Sequence, residues 1–116
     1  MPAIIYKIST RSLWGEAERT GAFIGAPVDR ADGFIHFSTR EQVKETASRH
    51  FAGQGDLVLV AVDAGRLGEA LKWEYSPSRA EDFPHLYAPL PRSAVLWSKP
   101  LNRKADGEFL LPETPA

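Results

Sequence analysis

The chain has 116 residues, 43% of them hydrophobic and 25% charged, with no cysteine and a net charge of −1. These values fit one compact domain and exclude thiol catalysis, cysteine-bound zinc and disulfides. The lack of a basic excess argues against nucleic acid as a partner. No apolar segment has the length of a membrane helix or resembles a signal peptide, so the sequence predicts a cytoplasmic protein with no membrane partner.

The first quarter of the chain predicts a strand, a helix and a loop. Residues 3–8 (AIIYKI) alternate, which puts Lys7 on the face opposite Tyr6. The helix that follows begins after a hydroxyl residue at position 9, 10 or 12 and ends at Gly21. Residues 25–33 (GAPVDRADG) are dense in Gly, Pro and Asp and predict a loop that leads into the next strand.

Residues 32–39 (DGFIHFST) place a histidine on that strand, just before two hydroxyl residues. Ser38 and Thr39 each stand three residues before a Glu or Gln, which is the spacing of a capping box, so a helix is predicted to begin there. The positive end of that helix would lie beside His36 and could hold a phosphate, carboxylate or ribose hydroxyl. Alternatively, His36 is a core histidine bonded to backbone, and the hydroxyls only cap the helix.

The middle of the chain predicts two further strands. Residues 57–62 (LVLVAV) have no polar member, which is typical of a central strand covered on both faces. Residues 71–75 (LKWEY) alternate, so Glu74 points away from the side of Trp73. Half burial would raise the pKa of Glu74, although Lys72 on the same face opposes this. Alternatively, Glu74 faces solvent and pairs with a cross-strand Lys or Arg.

The last third of the chain begins with a proline-rich stretch. Residues 76–92 contain four prolines and predict a long, stiff loop rather than a central strand. His85 and Tyr87 would project from one side of it, either toward a ligand or into the core. Residues 94–97 (AVLW) predict one more strand, and the tail 98–116 either adds an edge strand or stays mobile.

Histidine, serine and glycine motifs of common enzyme classes are missing. The three histidines and Glu74 match no compact zinc motif, so no metal site is predicted. No G-x-S-x-G elbow, GxGxxG or P-loop occurs, which gives no support for a serine triad or for those nucleotide-binding folds.

The ordered set of short motifs resembles the bacterial domain of unknown function 952 family. The resemblance covers about residues 4–97. The residues that carry it are Tyr6-Lys7-Ile8, Trp14, Gly33-Phe34-Ile35-His36-Phe37-Ser38-Thr39, Gln42, Asp56-Leu57-Val58, Lys72-Trp73-Glu74, Phe83-Pro84-His85-Leu86-Tyr87, Leu90-Pro91 and Ala94-Val95.

That family is similar in fold to ADP-ribosyltransferases. The resemblance therefore implies a compact α+β domain spanning residues 1–116, with a split mixed or antiparallel sheet, two main helices and an ADP-ribosylation-like fold around a cleft for NAD. Its body would cover about residues 4–97, with a C-terminal tail over residues 98–116. NAD would be a substrate rather than a resident cofactor, and no oligomeric state is predicted.

The resemblance also implies roles for particular residues. His36-Phe37-Ser38 is similar to the second motif of the superfamily, as in RNA 2′-phosphotransferases, and Lys7 stands where the first motif usually has His or Arg. His36 and Glu74 would be catalytic in an ADP-ribosyl or phosphate-related transferase. The residues implied to bind the ligand are Lys7, Ser38, Thr39, His85 and Tyr87. The alternatives are a non-catalytic module that binds a nucleotide or other small molecule, and a structural or interaction domain.

Overall fold

Short helices and nine antiparallel strands make up the chain, which the computed structural model describes over residues 2–112. The elements are β1 (Ile4–Thr10), α1 (Arg11–Thr20), β2 (Ala22–Phe23), α2 (Pro27–Asp32), β3 (Ile35–His36), α3 (Val43–His50), β4 (Leu57–Asp63), β5 (Leu71–Ser76), β6 (Glu81–Leu86), β7 (Leu90–Pro91), β8 (Val95–Arg103) and β9 (Phe109–Leu110). Ala64–Ala70 and Arg92–Ala94 form 3₁₀ turns. The predicted α+β class is confirmed.

The main sheet has the strand order β1-β4-β8-β9 and separates two hydrophobic cores. Its central strand β4 is buried on both faces, as its sequence predicts, because α3 packs on one face and α1 with the smaller sheets on the other. The first core includes Ile5, Trp14, Phe37, Val58, Val60 and Leu86. The second core, on the α3 side, includes Tyr6, Ile8, Val43, Leu59 and Phe109.

Two smaller sheets, with the orders β3-β6-β5 and β2-β7, complete the fold. The three-stranded sheet is joined to β1 by a bridge between Tyr6 and Ser38, whose backbone groups exchange two hydrogen bonds of 2.8 Å. This bridge sets β3 beside β1. It thereby positions His36 close to Lys7, the residue that follows Tyr6.

Helix α1 agrees with its prediction, and α3 differs from it at the N-terminus. Thr10 Oγ1 accepts the Leu13 N–H at 3.2 Å, and Gly21 closes α1 in the left-handed conformation (φ +93°). Helix α3 begins only at Val43, because Gln42 Oε1 accepts the Thr39 N–H at 3.0 Å and holds residues 40–42 in a turn.

Helix α2 (Pro27–Asp32) lies within residues 25–33, where the sequence predicts a loop. Proline at position 27 supplies the first helical residue, where its missing N–H costs nothing. Asp29 accepts the Ala26 N–H at 2.8 Å and is itself held by partners outside the helix, described below. Tertiary contacts of one carboxylate therefore stabilise a helix of six residues that its composition does not favour.

Residues 81–86 form the middle strand of the three-stranded sheet, so the prediction of an irregular loop there is wrong. Pro84 stands opposite Trp73 in register, and its carbonyl accepts the Phe37 N–H at 3.0 Å on the β3 side. The amide and carbonyl of one strand residue point to the same neighbour, so the missing N–H also lies on that side. Strand β3 has already ended at this position. The missing N–H of Pro84 therefore removes no hydrogen bond between β6 and β5.

The last strands extend further along the chain than the sequence predicts. Strand β8 continues past residue 97 to Arg103 and pairs with β4 over most of its length. Strand β9 forms the edge of the main sheet, which is the first of the two alternatives for the tail. No helix within residues 2–112 has the length and apolar character needed to cross a membrane.

Candidate functional site

The candidate site lies where the three-stranded sheet meets β1 and α2. Lys7 comes from β1, His36 from β3, Glu74 from β5 and His85 from β6, and Tyr87 directly follows β6. His36 and His85 stand opposite each other in register, and Glu74 is diagonal to His85 on the neighbouring strand. The fold therefore brings these five residues from the sequence analysis into one neighbourhood.

Asp29 of α2 is the centre of the buried half of the site. Its Oδ1 accepts hydrogen bonds from the His36 backbone N–H (3.1 Å) and from His36 Nδ1 (2.6 Å). Lys7 Nζ lies 2.9 Å from both carboxylate oxygens. Asp29 is 1% exposed and Lys7 6% exposed, so the ion pair is shielded from water.

Burial opposes the charge of both members of this pair. It lowers the pKa of Lys7, against the charge and hydrogen bond of Asp29. Burial alone would raise the pKa of Asp29, but the hydrogen bond from His36 and the ammonium group of Lys7 outweigh it and lower this pKa to about 2. Asp29 is therefore ionised at neutral pH and fixes His36 as a donor through Nδ1.

His36 stands between two carboxylates of α2. Its Nε2 lies 2.9 Å from Asp32 Oδ2, on the side of the ring opposite Asp29. Both contacts are hydrogen bonds only when both ring nitrogens carry a proton. The side chain of Asp32 is 48% exposed, so this contact lies at the surface of the protein. The groups around His36 thus belong to α2, and not to the positive end of α3 that the sequence predicts.

Glu74, His85 and Tyr87 form the second half of the site, in which Glu74 and Tyr87 reach the surface and the side chain of His85 is 13% exposed. Glu74 Oε1 accepts the hydroxyl of Tyr87 at 2.6 Å and Nδ1 of His85 at 2.8 Å. These two bonds, that of Tyr87 first, lower the pKa of Glu74, and the bond to Glu74 raises the pKa of Tyr87. The predicted upward shift of Glu74 is therefore wrong, because hydrogen bonds to the ionised form outweigh burial. Glu74 Oε2 takes part in neither bond.

The ring of Phe34 joins the two halves. Its centroid lies 4.1 Å from that of His85 in a stacked arrangement, 4.6 Å from His36 and 5.3 Å from Tyr87. His36 and His85 meet edge to face, with 5.4 Å between centroids. We call Phe34, His36, His85 and Tyr87 the ring cluster. It is a surface of packed rings with carboxylates at its border.

Three residues implied to bind the ligand lie outside the ring cluster. Lys7 is buried behind Asp29. Ser38 is buried, and its Oγ lies 3.0 Å from Thr46 Oγ1, a contact made toward α3. Thr39 is buried at the turn before α3. All three make their polar contacts within the protein.

The structure adds Asp29, Asp32 and Phe34, which the sequence analysis does not single out as site residues. One signal for Asp29 is Lys7, because a lysine in an otherwise apolar strand requires a buried partner of opposite charge. The sequence offers fifteen acidic residues and no means of choosing among them. Asp29 also lies in a segment whose composition predicts a loop, which made it harder to identify as the partner of Lys7.

Other regions do not contribute to this site. Within residues 2–112, no three His, Asp or Glu side chains come together in a way that could hold a metal ion. A polar cavity of about 390 Å³ opens between the α3–β4 connection and the turn from β8 to β9. Its lining residues, which include Asp56, Arg103 and Lys104, contain no member of the ring cluster.

Comparison with known proteins places the chain among proteins whose function is not established. Residues 8–98 match the family described as "Protein of unknown function (DUF952)". The crystal structure of protein CC0527 from Caulobacter crescentus is 50% identical, covers 92% of this chain and 93% of its own, and has a TM-score of 0.87. The solution NMR structure of CC0527 is 51% identical, with coverage of 91% and 90% and a TM-score of 0.81. No curated protein matches.

Proposed function

The chain belongs to the DUF952 family, and on that premise we propose that the ring cluster and Glu74 bind a nucleotide-like small molecule of the NAD or ADP-ribose class. The observation that carries the proposal is a set of packed rings with Tyr87 at the surface, beside a carboxylate whose Oε2 takes part in no hydrogen bond with residues 2–112. Flat rings stack on a nicotinamide or base, and a carboxylate oxygen accepts hydrogen bonds from ribose hydroxyls.

Accessibility favours a binding role over a purely structural one. Tyr87 is 44% exposed, and the side chain of Glu74 is 39% exposed. A core histidine bonded only to backbone would need neither a tyrosine nor a glutamate at the surface. His36 and His85 instead bond to carboxylates and share an aromatic neighbour with the exposed Tyr87.

The resemblance of the sequence motifs to ADP-ribosyltransferases is the reason for choosing this ligand class. In the proposal, the α+β domain has an ADP-ribosylation-like fold, and His36, His85, Tyr87 and Glu74 face the ligand. Lys7 acts through Asp29 by holding it in place. Ser38 and Thr39 shape the turn that follows β3 and do not touch the ligand.

An NMR titration of the three histidine side chains with NAD and with ADP-ribose tests this proposal. We expect saturable shifts at His36 and His85 at sub-millimolar to millimolar ligand, and loss of binding in His36→Ala. His50, at the end of α3, serves as an internal control that should not shift. Shifts of equal size at all three histidines, or none at millimolar concentrations of both ligands, would sink the proposal.

Transferase activity is a second candidate, which the hydrogen bonding of Glu74 favours. The bonds from Tyr87 and His85 keep this carboxylate ionised and fix its orientation, so it could stabilise a developing oxocarbenium ion or accept a proton from an acceptor. Glu74→Gln should then abolish cleavage of NAD, or transfer of its ADP-ribose group, while the fold is retained. Glu16→Gln on the exposed face of α1 is the matched control. Equal activity of the two variants would show that the Glu74 carboxylate is not catalytic, and no activity in the unchanged protein would leave binding without catalysis.

A further inference from the structure

We propose that two copies of the chain associate through the outer edge of the three-stranded sheet, with β5 of one copy antiparallel to β5 of the other. Strand β5 (Leu71–Ser76) lies at the end of this sheet, and within residues 2–112 no strand pairs with its outer edge. An uncovered strand edge is a template for another strand unless bends or side chains block it. Strand β5 contains no proline and pairs with β6 in unbroken register, so its edge is regular.

The backbone of β5 presents hydrogen-bonding groups at this edge. Pro84 turns its carbonyl to Phe37 on the β3 side, and it stands opposite Trp73. Trp73 therefore belongs to a pair that exchanges no hydrogen bonds, so its own N–H and carbonyl point to the outer edge. The same alternation turns the backbone groups of Tyr75 outward. Outside the strand ladders, no hydrogen bond within residues 2–112 involves the backbone of Trp73 or Tyr75.

A symmetric pair centred on Trp73 satisfies these groups. In it, each Trp73 N–H donates to the carbonyl of the partner's Trp73, and Tyr75 stands opposite the partner's Leu71. Leu71 already donates its N–H to the Gly68 carbonyl, so its own carbonyl is the group left for the N–H of the partner's Tyr75. The two edges are therefore complementary in their donors and acceptors.

The charges of β5 select this register. With Trp73 at the centre, Lys72 stands opposite the partner's Glu74, at a position where side chains of antiparallel strands approach most closely. Moving the centre by one residue sets Lys72 opposite the partner's Lys72, or Glu74 opposite the partner's Glu74. Like charges directly opposite each other are destabilising. A second copy is therefore complementary in charge in one symmetric register only.

Side chains on both faces of β5 would gain contacts. Tyr75 is 63% exposed, and in the pair its ring lies beside the partner's Leu71. On the other face, the partner's Lys72 reaches Glu74, whose Oε1 accepts Tyr87 and His85. A carboxylate has acceptor positions for several donors, so a ligand hydroxyl can still bind it. The second copy thus adds a cation to the candidate site.

Sedimentation velocity of the full chain without ligand tests the association. Between about 1 µM and 1 mM protein we expect a monomer–dimer equilibrium with a Kd of roughly 10–100 µM, because the contact is smaller than a standard interface. The amide protons of Trp73 and Tyr75 should become protected from exchange at the high concentration. Those of Lys72 and Glu74, which face β6, should be protected at both. A monomer at the highest concentration would overturn the proposal.

Two variants at Tyr75 test the backbone pairing. Tyr75→Pro removes an N–H that faces away from β6, so the ladder within the sheet is retained. It should raise the Kd about tenfold or more, because each copy loses one hydrogen bond to its partner. Tyr75→Thr loses the same ring but keeps the N–H, and it should weaken association less. Equal effects of the two variants would contradict the pairing of this edge.

Charge reversal tests the register independently. Lys72→Glu and Glu74→Lys each set like charges opposite each other in a pair of identical copies, and each should raise the Kd about tenfold or more. In an equal mixture of the two variants, both cross-strand pairs regain opposite charges, so the mixture should form a heterodimer. A mixture that associates no better than either variant alone would overturn the register. These measurements use no ligand, so their outcome does not depend on the proposed function.

Discussion

At the scale of single residues, one buried carboxylate organises half of the candidate site. Asp29 accepts hydrogen bonds from the backbone N–H and the Nδ1 of His36 and from the Ala26 N–H, and it forms an ion pair with Lys7. This one side chain thus joins β1, α2 and β3. Its removal would leave the ammonium group of Lys7 buried without a counter-charge.

Asp29→Asn is expected to destabilise the protein by about 3–5 kcal/mol, the usual cost of breaking a buried ion pair from one side. Asp56→Asn is the control, because the pair between Asp56 and Arg11 is exposed at the surface and is worth about 1 kcal/mol or less. Denaturant unfolding of the two variants measures the difference. Similar losses would contradict the central role of Asp29.

The same carboxylate predicts how stability changes in acid. The pKa of Asp29 is about 2 in the folded protein, below the value of about 4 in an unfolded chain. Its contribution is therefore complete above about pH 4 and is lost as the pH falls through about 2, which amounts to about 2–3 kcal/mol. Unfolding free energies at pH 5, 4, 3 and 2 measure this loss. Asp29→Asn should lack this part of the decline, and an equally steep decline in the variant would refute the assignment.

At the scale of elements, the sequence predicts best those segments whose structure follows from their own apolar pattern and end signals rather than from one particular tertiary partner. Strands β1 and β4 and helix α1 follow from apolar periodicity and end signals, and the structure confirms them. Helix α2 and strand β6 were missed because their stability lies outside their own composition. The first depends on the ion pair of Asp29, and the second contains a proline whose missing N–H faces the end of β3.

Gly25 fixes the approach of the chain to α2. It adopts φ +109°, and a Cβ there would come within 2.9 Å of Asp29 Cβ. Gly25→Ala is expected to cost about 2–4 kcal/mol, from backbone strain and from the overlap with Asp29. Gly33→Ala shares the left-handed strain (φ +88°) but meets no atom within 4 Å, so about 1–2 kcal/mol is expected. Thermal or denaturant unfolding compares them, and an equal cost would show that the contact with Asp29 is unimportant.

At the scale of the whole molecule, the main sheet separates the ring cluster from half of the hydrophobic interior. The first core lies on the side of the site, and the second core lies between the sheet, α3 and β9. The sequence predicts the existence of both faces from β4 but not which residues meet across them. In particular, nothing in the local pattern indicates that Ser38 pairs with Tyr6, although that bridge sets His36 beside Lys7.

Phe109 tests this separation. It is buried in the second core, so Phe109→Ala should cost about 3–5 kcal/mol, while Leu110→Ala, at an exposed position, should cost less than about 1 kcal/mol. Unfolding measurements give both values. At temperatures where Phe109→Ala is folded, the NMR signals of His36 and His85 should keep their wild-type positions. If the His36 and His85 signals instead moved to the positions of an unfolded chain, the two cores would not be independent.

The spacing of the site's contacts along the chain also bears on the order in which the protein folds. The bonds of Glu74 to His85 and Tyr87 span 11 and 13 residues and lie within the β5–β6 hairpin, whereas the Lys7–Asp29 bond spans 22 residues. The meeting of His36 with His85 closes a longer loop still, because it joins β3 to β6. Contacts that close longer loops carry a larger entropic cost before they form. We therefore expect the Glu74 half to form early in refolding and the edge-to-face contact of the two histidines to form late, which makes that ring pair a natural spectroscopic marker of the completed fold.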